Sequence, residues 1–135
     1  MQNKSLAKDY ITRANKRLAA LEALFKVEAW ADVVRESQEV VELALKGLLK
    51  HHFIEVPRIH DVSGILEAEK AKFSSEINKN LKRYMQISKD LRRDRELAFY
   101  GSEDLTPEEF YQKEDAVKAK DSAEWVVKTL LKVMN

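Results

Sequence analysis

The sequence has no cysteine, and only 3 glycines and 2 prolines among its 135 residues. Without cysteine, a disulfide scaffold and a metal site of thiolate ligands are both excluded. No run of apolar residues approaches the roughly 20 that a membrane span needs. The N-terminus also lacks the apolar stretch of a signal peptide. We therefore expect a soluble, cytoplasmic protein.

The scarcity of glycine and proline also leaves little material for turns. The apolar residues, 44% of the chain, recur at steps of three and four, the spacing of one helical face, and not at the step of two found in strands. A chain of this length suits one domain with one core. The sequence thus predicts a single all-α domain over residues 1–135.

Four long helices and one short helix are predicted. The long ones cover about residues 4–27, 29–52, 75–100 and 107 to the C-terminus, the last beginning with the cap Thr106-Pro107-Glu108-Glu109. The short one follows Asp61 or Ser63, either of which suits an N-cap. Gly101 suits the left-handed position that ends a helix. On the first helix, the stripe predicted to face inward consists of Leu6, Tyr10, Ala14, Leu18, Leu21 and Phe25.

Short connections between long helices favour antiparallel neighbours, so we predict an up-and-down four-helix bundle with an additional short helix, five helices in all. The last helix is apolar outside its main stripe as well, at Trp125, Val127, Leu131 and Met134. A helix that is apolar on two sides usually has two partners. We therefore expect a homodimer, and the alternative is one wide core within a single chain.

Charge is distributed unevenly although the net charge is only +1. Residues 79–96 carry seven basic and three acidic side chains, whereas residues 101–124 carry three basic and eight acidic ones. One interpretation is that the two segments pair through complementary charge. The other is a basic strip that attracts phosphate, whose binding would weaken with salt.

The basic segment holds the most informative residue, Arg95. The stripe predicted to be buried in this helix reads Ile77, Leu81, Tyr84, Ser88, Leu91, Arg95 and Ala98. A guanidinium on such a stripe needs a partner. The partner would be a carboxylate of the chain such as Glu42 or Asp94, a second copy of the protein, or a bound phosphate.

Three segments together resemble the HEPN domain, whose name stands for higher eukaryotes and prokaryotes nucleotide-binding. They are SQEVVELALKGLL at 37–49, IHDV at 59–62 and RELAFYG at 95–101, and the resemblance extends over nearly the whole chain. It implies a bundle of four or five helices, commonly a two-fold dimer. It also implies a partner, a minimal nucleotidyltransferase, in an arrangement like that of a toxin and its antitoxin.

Catalytic members of that family are metal-independent ribonucleases with an arginine, four to six spacers and then a histidine. In this sequence four spacers from Arg95, or six from Arg93, lead to Tyr100, and no histidine follows His60. A phenol with a pKa of about 10 is a poor general base at neutral pH. We therefore expect no catalytic residue and no ordinary ribonuclease activity. The alternatives are a ribonuclease in which Tyr100 or His60 replaces the missing histidine, and a purely structural dimerisation module.

The candidate binding site for a nucleotide or RNA consists of Arg92, Arg93, Arg95 and Tyr100. Guanidinium groups suit phosphate, and the tyrosine offers a hydroxyl and a stacking face. The resemblance also makes Tyr100 a candidate acceptor of nucleotidyl groups.

Three further residues are predicted to support the site. Glu42 and Lys46 belong to a polar row on the second helix, and His60 is expected to hold its loop by hydrogen bonds. No metal site is predicted, because the adjacent His51 and His52 point to different faces of a helix. No cofactor is predicted either, and a glycine-rich phosphate loop is absent.

Overall fold

A computed structural model describes the backbone of residues 2–56, 58–100 and 106–134, and the side chains of these ranges except at 2–3 and 93–100. It contains four long helices, α1 (Gln2–Lys26), α2 (Trp30–His51), α4 (Ser75–Tyr100) and α6 (Lys113–Val133). Two short helices, α3 (Ser63–Ala68) and α5 (Pro107–Phe110), and a 3₁₀ turn at Lys70–Lys72 complete the described elements. The prediction of an all-α bundle is confirmed.

Contacts between the long helices fix an up-and-down order. Along α1 and α2, Arg17 bonds to Glu36 while Tyr10 lies near Lys50, so the two helices run antiparallel. Along α4 and α6, the Tyr84 hydroxyl lies 2.6 Å from Thr129 Oγ1, and Leu91 shares a cleft with Ala119. The second pair is therefore antiparallel as well. Helix α2 contacts all three other long helices.

Helix α1 lies unusually close to α2 at Gly47. A Cβ atom built on Gly47 would lie 3.2 Å from Tyr10 Cβ and 3.3 Å from the carbonyl oxygen of Ala7. This approach favours a small side chain at the contact, and Ala7 is fully buried there. The other buried residues of α1 are Ile11, Ala14 and Leu21. The predicted inward stripe was partly wrong: Ala14 and Leu21 are buried as predicted, but Leu6 is 44% exposed and the N-terminal half of the helix buries Ala7 and Ile11 instead of Leu6 and Tyr10.

The turns after α1 and α2 use the same hydrogen-bond pattern without glycine. Glu28 and Phe53 have φ angles of 60° and 58°. In the first turn the Ala29 N–H donates to the Leu24 carbonyl, and in the second the Ile54 N–H donates to the Leu49 carbonyl. These are Schellman motifs, which usually place glycine at the left-handed position. Their residues therefore gave no turn signal in the sequence.

The predicted helix from residue 107 to the C-terminus is in fact two helices. Thr106 caps α5 with the predicted capping box, but Tyr111 is extended and its side chain is buried. Gln112 then begins α6 through a second capping box, in which its N–H donates to Asp115 Oδ2 at 2.9 Å. The described residues thus form six α-helices, not five. The predicted helix end at Gly101 lies outside the described residues.

The apolar residues of α6 that suggested a second partner contact the chain's own core. Val127 is fully buried and Met134 is 9% exposed, while Trp125 packs against Tyr84. The alternative of one wide core therefore explains them, and they give no support for the predicted homodimer. Among the described residues, no helix combines the length and apolarity needed to cross a membrane.

We predict that Gly47→Val lowers the free energy of unfolding by about 1–3 kcal/mol, because the new side chain would force α1 away from α2. Chemical denaturation followed by circular dichroism measures this change. Gly64→Val is the matched control, since a Cβ at Gly64 has no neighbour within 4 Å. Equal effects of the two substitutions would contradict the close approach at Gly47.

Candidate functional site

The carboxylate of Glu42 is the centre of a polar cluster on α2. Its Oε1 accepts hydrogen bonds from Gln38 Nε2 at 2.8 Å and from His60 Nδ1 at 2.7 Å, and its Oε2 accepts one from Lys46 Nζ at 2.8 Å. A carboxylate can only accept, so His60 Nδ1 carries the proton of this bond. The structure thus brings together the three predicted supporting residues, Glu42, Lys46 and His60.

This environment keeps Glu42 ionised. The side chains of Glu42 and Lys46 are only 15% and 14% exposed. Burial raises the pKa of Glu42, but the hydrogen bonds from Lys46, His60 and Gln38 together outweigh burial and lower the pKa below its ordinary value. A buried charge is stable where several donors compensate it. Glu42 is therefore a fixed negative charge in the polar face of the bundle.

The residue after His60 fastens the same loop to α4. Asp61 Oδ1 accepts hydrogen bonds from the Ser88 hydroxyl and the Ser63 N–H, both at 2.9 Å. Ser88 in turn accepts from the Val62 N–H at 3.3 Å. Burial raises the pKa of Asp61, but the bonds from Ser63 and Ser88 lower it overall. His60 and Asp61 thus tie one loop to both α2 and α4.

The predicted phosphate-binding residues lie in the last part of α4. Arg92 is half-buried, and no carboxylate of the described residues forms an ion pair with it. Arg93, Arg95 and Tyr100 belong to the same helix, but their side chains lie outside the described residues. The stripe leading to them is confirmed, since Ile77, Leu81, Tyr84, Ser88 and Leu91 are all buried.

A cleft of about 460 Å³ opens between α2, α4 and α6, and Leu91, the residue before Arg92, lines it. Its floor is apolar and is formed by Val34, Ile87, Leu91, Tyr111 and Ala119. Its rim is polar and carries Arg83, Asp90, Asp115, Lys118, Asp121 and Ser122. Clefts with an apolar floor and a few polar groups are typical small-molecule sites.

The described contact between α4 and α6 includes no ion pair. The two charged segments extend through residues 93–105, whose side chains lie outside the described part of the chain, so complementary charge pairing stays a prediction. In the described contact, the Arg83 guanidinium lies 3.9 Å from the centre of the Trp125 ring. Lys120 of α6 pairs with Glu22 of α1 and with Glu124 of its own helix. Lys82 and Lys89 of α4 are exposed and form no ion pair with the described residues, which agrees with a basic strip along this helix.

Sequence reasoning missed two features of this region. The cleft was not predicted, because it depends on the break at Tyr111, which places that ring on the cleft floor. The bond between Asp61 and Ser88 was also missed. Its signal was present, since Ser88 is a polar residue on an otherwise apolar stripe and a buried hydroxyl needs a partner.

The two adjacent histidines have structural contacts. Their rings meet edge to face with centroids 5.2 Å apart, and His52 packs in the same way on Phe73. Burial, followed by the nearby His52 and Lys4, lowers the pKa of His51. Within the described ranges, no group of three or more His, Asp or Glu side chains is arranged to hold a metal ion.

Comparison with known families identifies the class of this bundle. The model of the HEPN domain matches residues 7–133, nearly the whole chain. The chain therefore belongs to the HEPN family, as its resemblance indicated, and this membership supports a role related to nucleotides or RNA. No curated protein and no solved structure matches the chain.

We predict that Glu42→Gln lowers the free energy of unfolding at pH 7 by about 1–3 kcal/mol, because Lys46 loses the charge that compensates it. Since folding lowers the pKa of Glu42, its contribution is complete above the ordinary value of 4.5 and is lost as the pH falls through the lowered pKa. Denaturation curves at several pH values should therefore converge for the variant and the wild type in acid.

Glu76→Gln is the matched control for this experiment. Glu76 also pairs with a lysine of its own helix, Lys79, at 3.3 Å, but both side chains are at least 60% exposed. Such pairs contribute little to stability. If both variants lost the same stability, the polar cluster around Glu42 would have no special role.

Proposed function

We propose that this HEPN protein is a non-catalytic module that binds a nucleotide or RNA through the basic end of α4. The observation that carries the proposal is Arg92, a half-buried guanidinium without a carboxylate partner among the described residues. It directly follows Leu91, which lines a cleft of small-molecule size. Arg93 and Arg95 follow within one helical turn of Arg92. Both this charge and the HEPN family favour a ligand that carries phosphate.

The chemistry of the residues supports phosphate as the group that is bound. Guanidinium groups bind phosphate through paired, charge-assisted hydrogen bonds, and they do so best when they are partly removed from water. Three arginines in four residues, Arg92, Arg93 and Arg95, offer several such donors at one helix end. Tyr100, in this proposal, supplies a hydroxyl or a stacking surface.

We further propose that the protein functions in the cytoplasm as a dimer that works with a minimal nucleotidyltransferase. HEPN domains often dimerise, and a second copy would double the number of arginines around the ligand. In this proposal Tyr100 is the residue that the partner enzyme would modify. The enzyme and its effect on Tyr100 are inferred from family resemblance.

Ribonuclease activity is the competing function. His60 Nδ1 donates to Glu42 at 2.7 Å, which holds the loop and orients the ring. In the neutral imidazole the other nitrogen, Nε2, keeps a lone pair, so His60 is the candidate general base of a nuclease, whereas a phenol such as Tyr100 is poorly suited to that role. Incubating the protein with RNA in chelator tests this directly. Cleavage leaving 2′,3′-cyclic phosphate ends, and absent in Arg95→Ala, would establish a nuclease instead.

We predict that nucleotides or short single-stranded RNA raise the melting temperature of the protein, because a ligand that binds only the folded state stabilises it. The rise should be lost in Arg95→Ala and should shrink at high salt, since it depends on phosphate contacts. A thermal-shift series with nucleoside mono- and triphosphates and RNA measures it.

Arg58→Ala is the matched control, because it removes the same charge from an exposed position outside α4. It should bind as the wild type does. If no ligand changed the melting temperature, or if Arg95→Ala and Arg58→Ala responded alike, the arginines would be structural and the proposal would fail.

A further inference from the structure

The cleft lined by Leu91 has one carboxylate and one ammonium group on its rim that no described residue engages. Among the described residues, no hydrogen bond or ion pair engages Asp121 or Lys118, although both lie on the cleft rim. They are three residues apart on α6 and therefore on the same side of that helix. The other rim acids have partners, since Asp115 caps α6 and Asp90 accepts a bond from Gln86 at 2.9 Å.

We propose, resting on the proposed function, that this cleft binds the base of the nucleotide and that the preferred base is guanine. The apolar floor offers Ile87, Leu91 and Tyr111 to the flat face of a base. On the rim, Asp121 accepts the two neighbouring N–H donors of guanine, at N1 and N2. Lys118 donates to the guanine O6.

Guanine is selected because its hydrogen-bonding edge matches this pair of charges. It is the nucleobase that places two N–H donors side by side next to a carbonyl acceptor, and a carboxylate accepts such donors in pairs. Adenine has neither the N1 proton nor the carbonyl group. Cytosine has an amino group but no neighbouring ring N–H donor. If adenine or cytosine bound instead, Asp121 would lack one of its two N–H donors or Lys118 would lack its carbonyl acceptor.

The charges also set the direction of the ligand. The three carboxylates of the rim, Asp90, Asp115 and Asp121, repel phosphate, so the phosphate lies outside the acidic part of the cleft. Leu91 forms part of the floor, Arg92 is the next residue, and Arg95 follows Leu91 by one turn, a rise of about 6 Å. A base on the floor therefore leaves its phosphate at the arginine end of α4.

Isothermal titration with GMP, IMP and AMP tests the proposal, since IMP differs from GMP only by the missing N2 amino group. We expect the wild type to bind GMP about tenfold more tightly than IMP, and AMP more weakly still. Asp121→Asn should abolish the difference between GMP and IMP. Lys118→Met should weaken both while preserving their ratio, because both carry O6.

Asp9→Asn is the matched control, as it neutralises an exposed aspartate of α1 far from the cleft, and it should keep the wild-type preference. If the wild type bound all three nucleotides with equal affinity and Arg95→Ala bound none of them, the guanine site would be overturned and the proposed function would stay intact. If the protein bound none of the three nucleotides and no RNA, both the guanine site and the proposed function would be overturned. A preference for GMP that survived in Asp121→Asn would also overturn this assignment.

Discussion

The ionised carboxylate of Glu42 is the interaction on which the polar side of this bundle depends. Helix α2 is buried against three other helices, and its remaining face carries a charge that is only 15% exposed. Such a charge is stable only if nearby donors compensate it. Lys46 and Gln38 do so from the same helix, and His60 does so from a loop 18 residues further along the chain. The need to compensate the charge of Glu42 therefore fixes the position of the loop that carries His60 against α2.

That constraint extends to the candidate site through one loop. His60 holds the loop on α2, and Asp61 holds it on α4 through Ser88. The relative position of the two helices is fixed at this level. Beyond it, α4 reaches Arg92 after about one turn and Arg95 after about two, and Leu91 lines a cleft that α2 and α6 complete. Two of the segments that resemble the HEPN domain, 37–49 and 59–62, therefore supply the contacts that hold α2, the loop and α4 together.

The sequence predicted the helices and their order because apolar spacing records directly which face is buried. It also predicted that Glu42 and Lys46 belong to one polar row and that His60 anchors its loop by hydrogen bonds, because their residue types and positions suited those contacts. The sequence-based prediction failed where the structure depends on the distance between two helices or on the backbone conformation of a single residue. The close approach at Gly47 buries Ala7 of α1 in place of Leu6, and the extended residue Tyr111 divided the last helix. Neither the close approach at Gly47 nor the extended backbone at Tyr111 changes the spacing of apolar residues in the sequence. The cleft depends on the break at Tyr111 and was therefore not predicted.

The central claim is that the basic end of α4 binds phosphate. The most direct measurement is a titration of the isotopically labelled protein with GMP, followed by amide chemical shifts. The account predicts shifts concentrated at Leu91 and the residues after it on α4, and along the cleft side of α6, with α1 unchanged. Saturating shifts confined to α1, or no shifts at all, would contradict it.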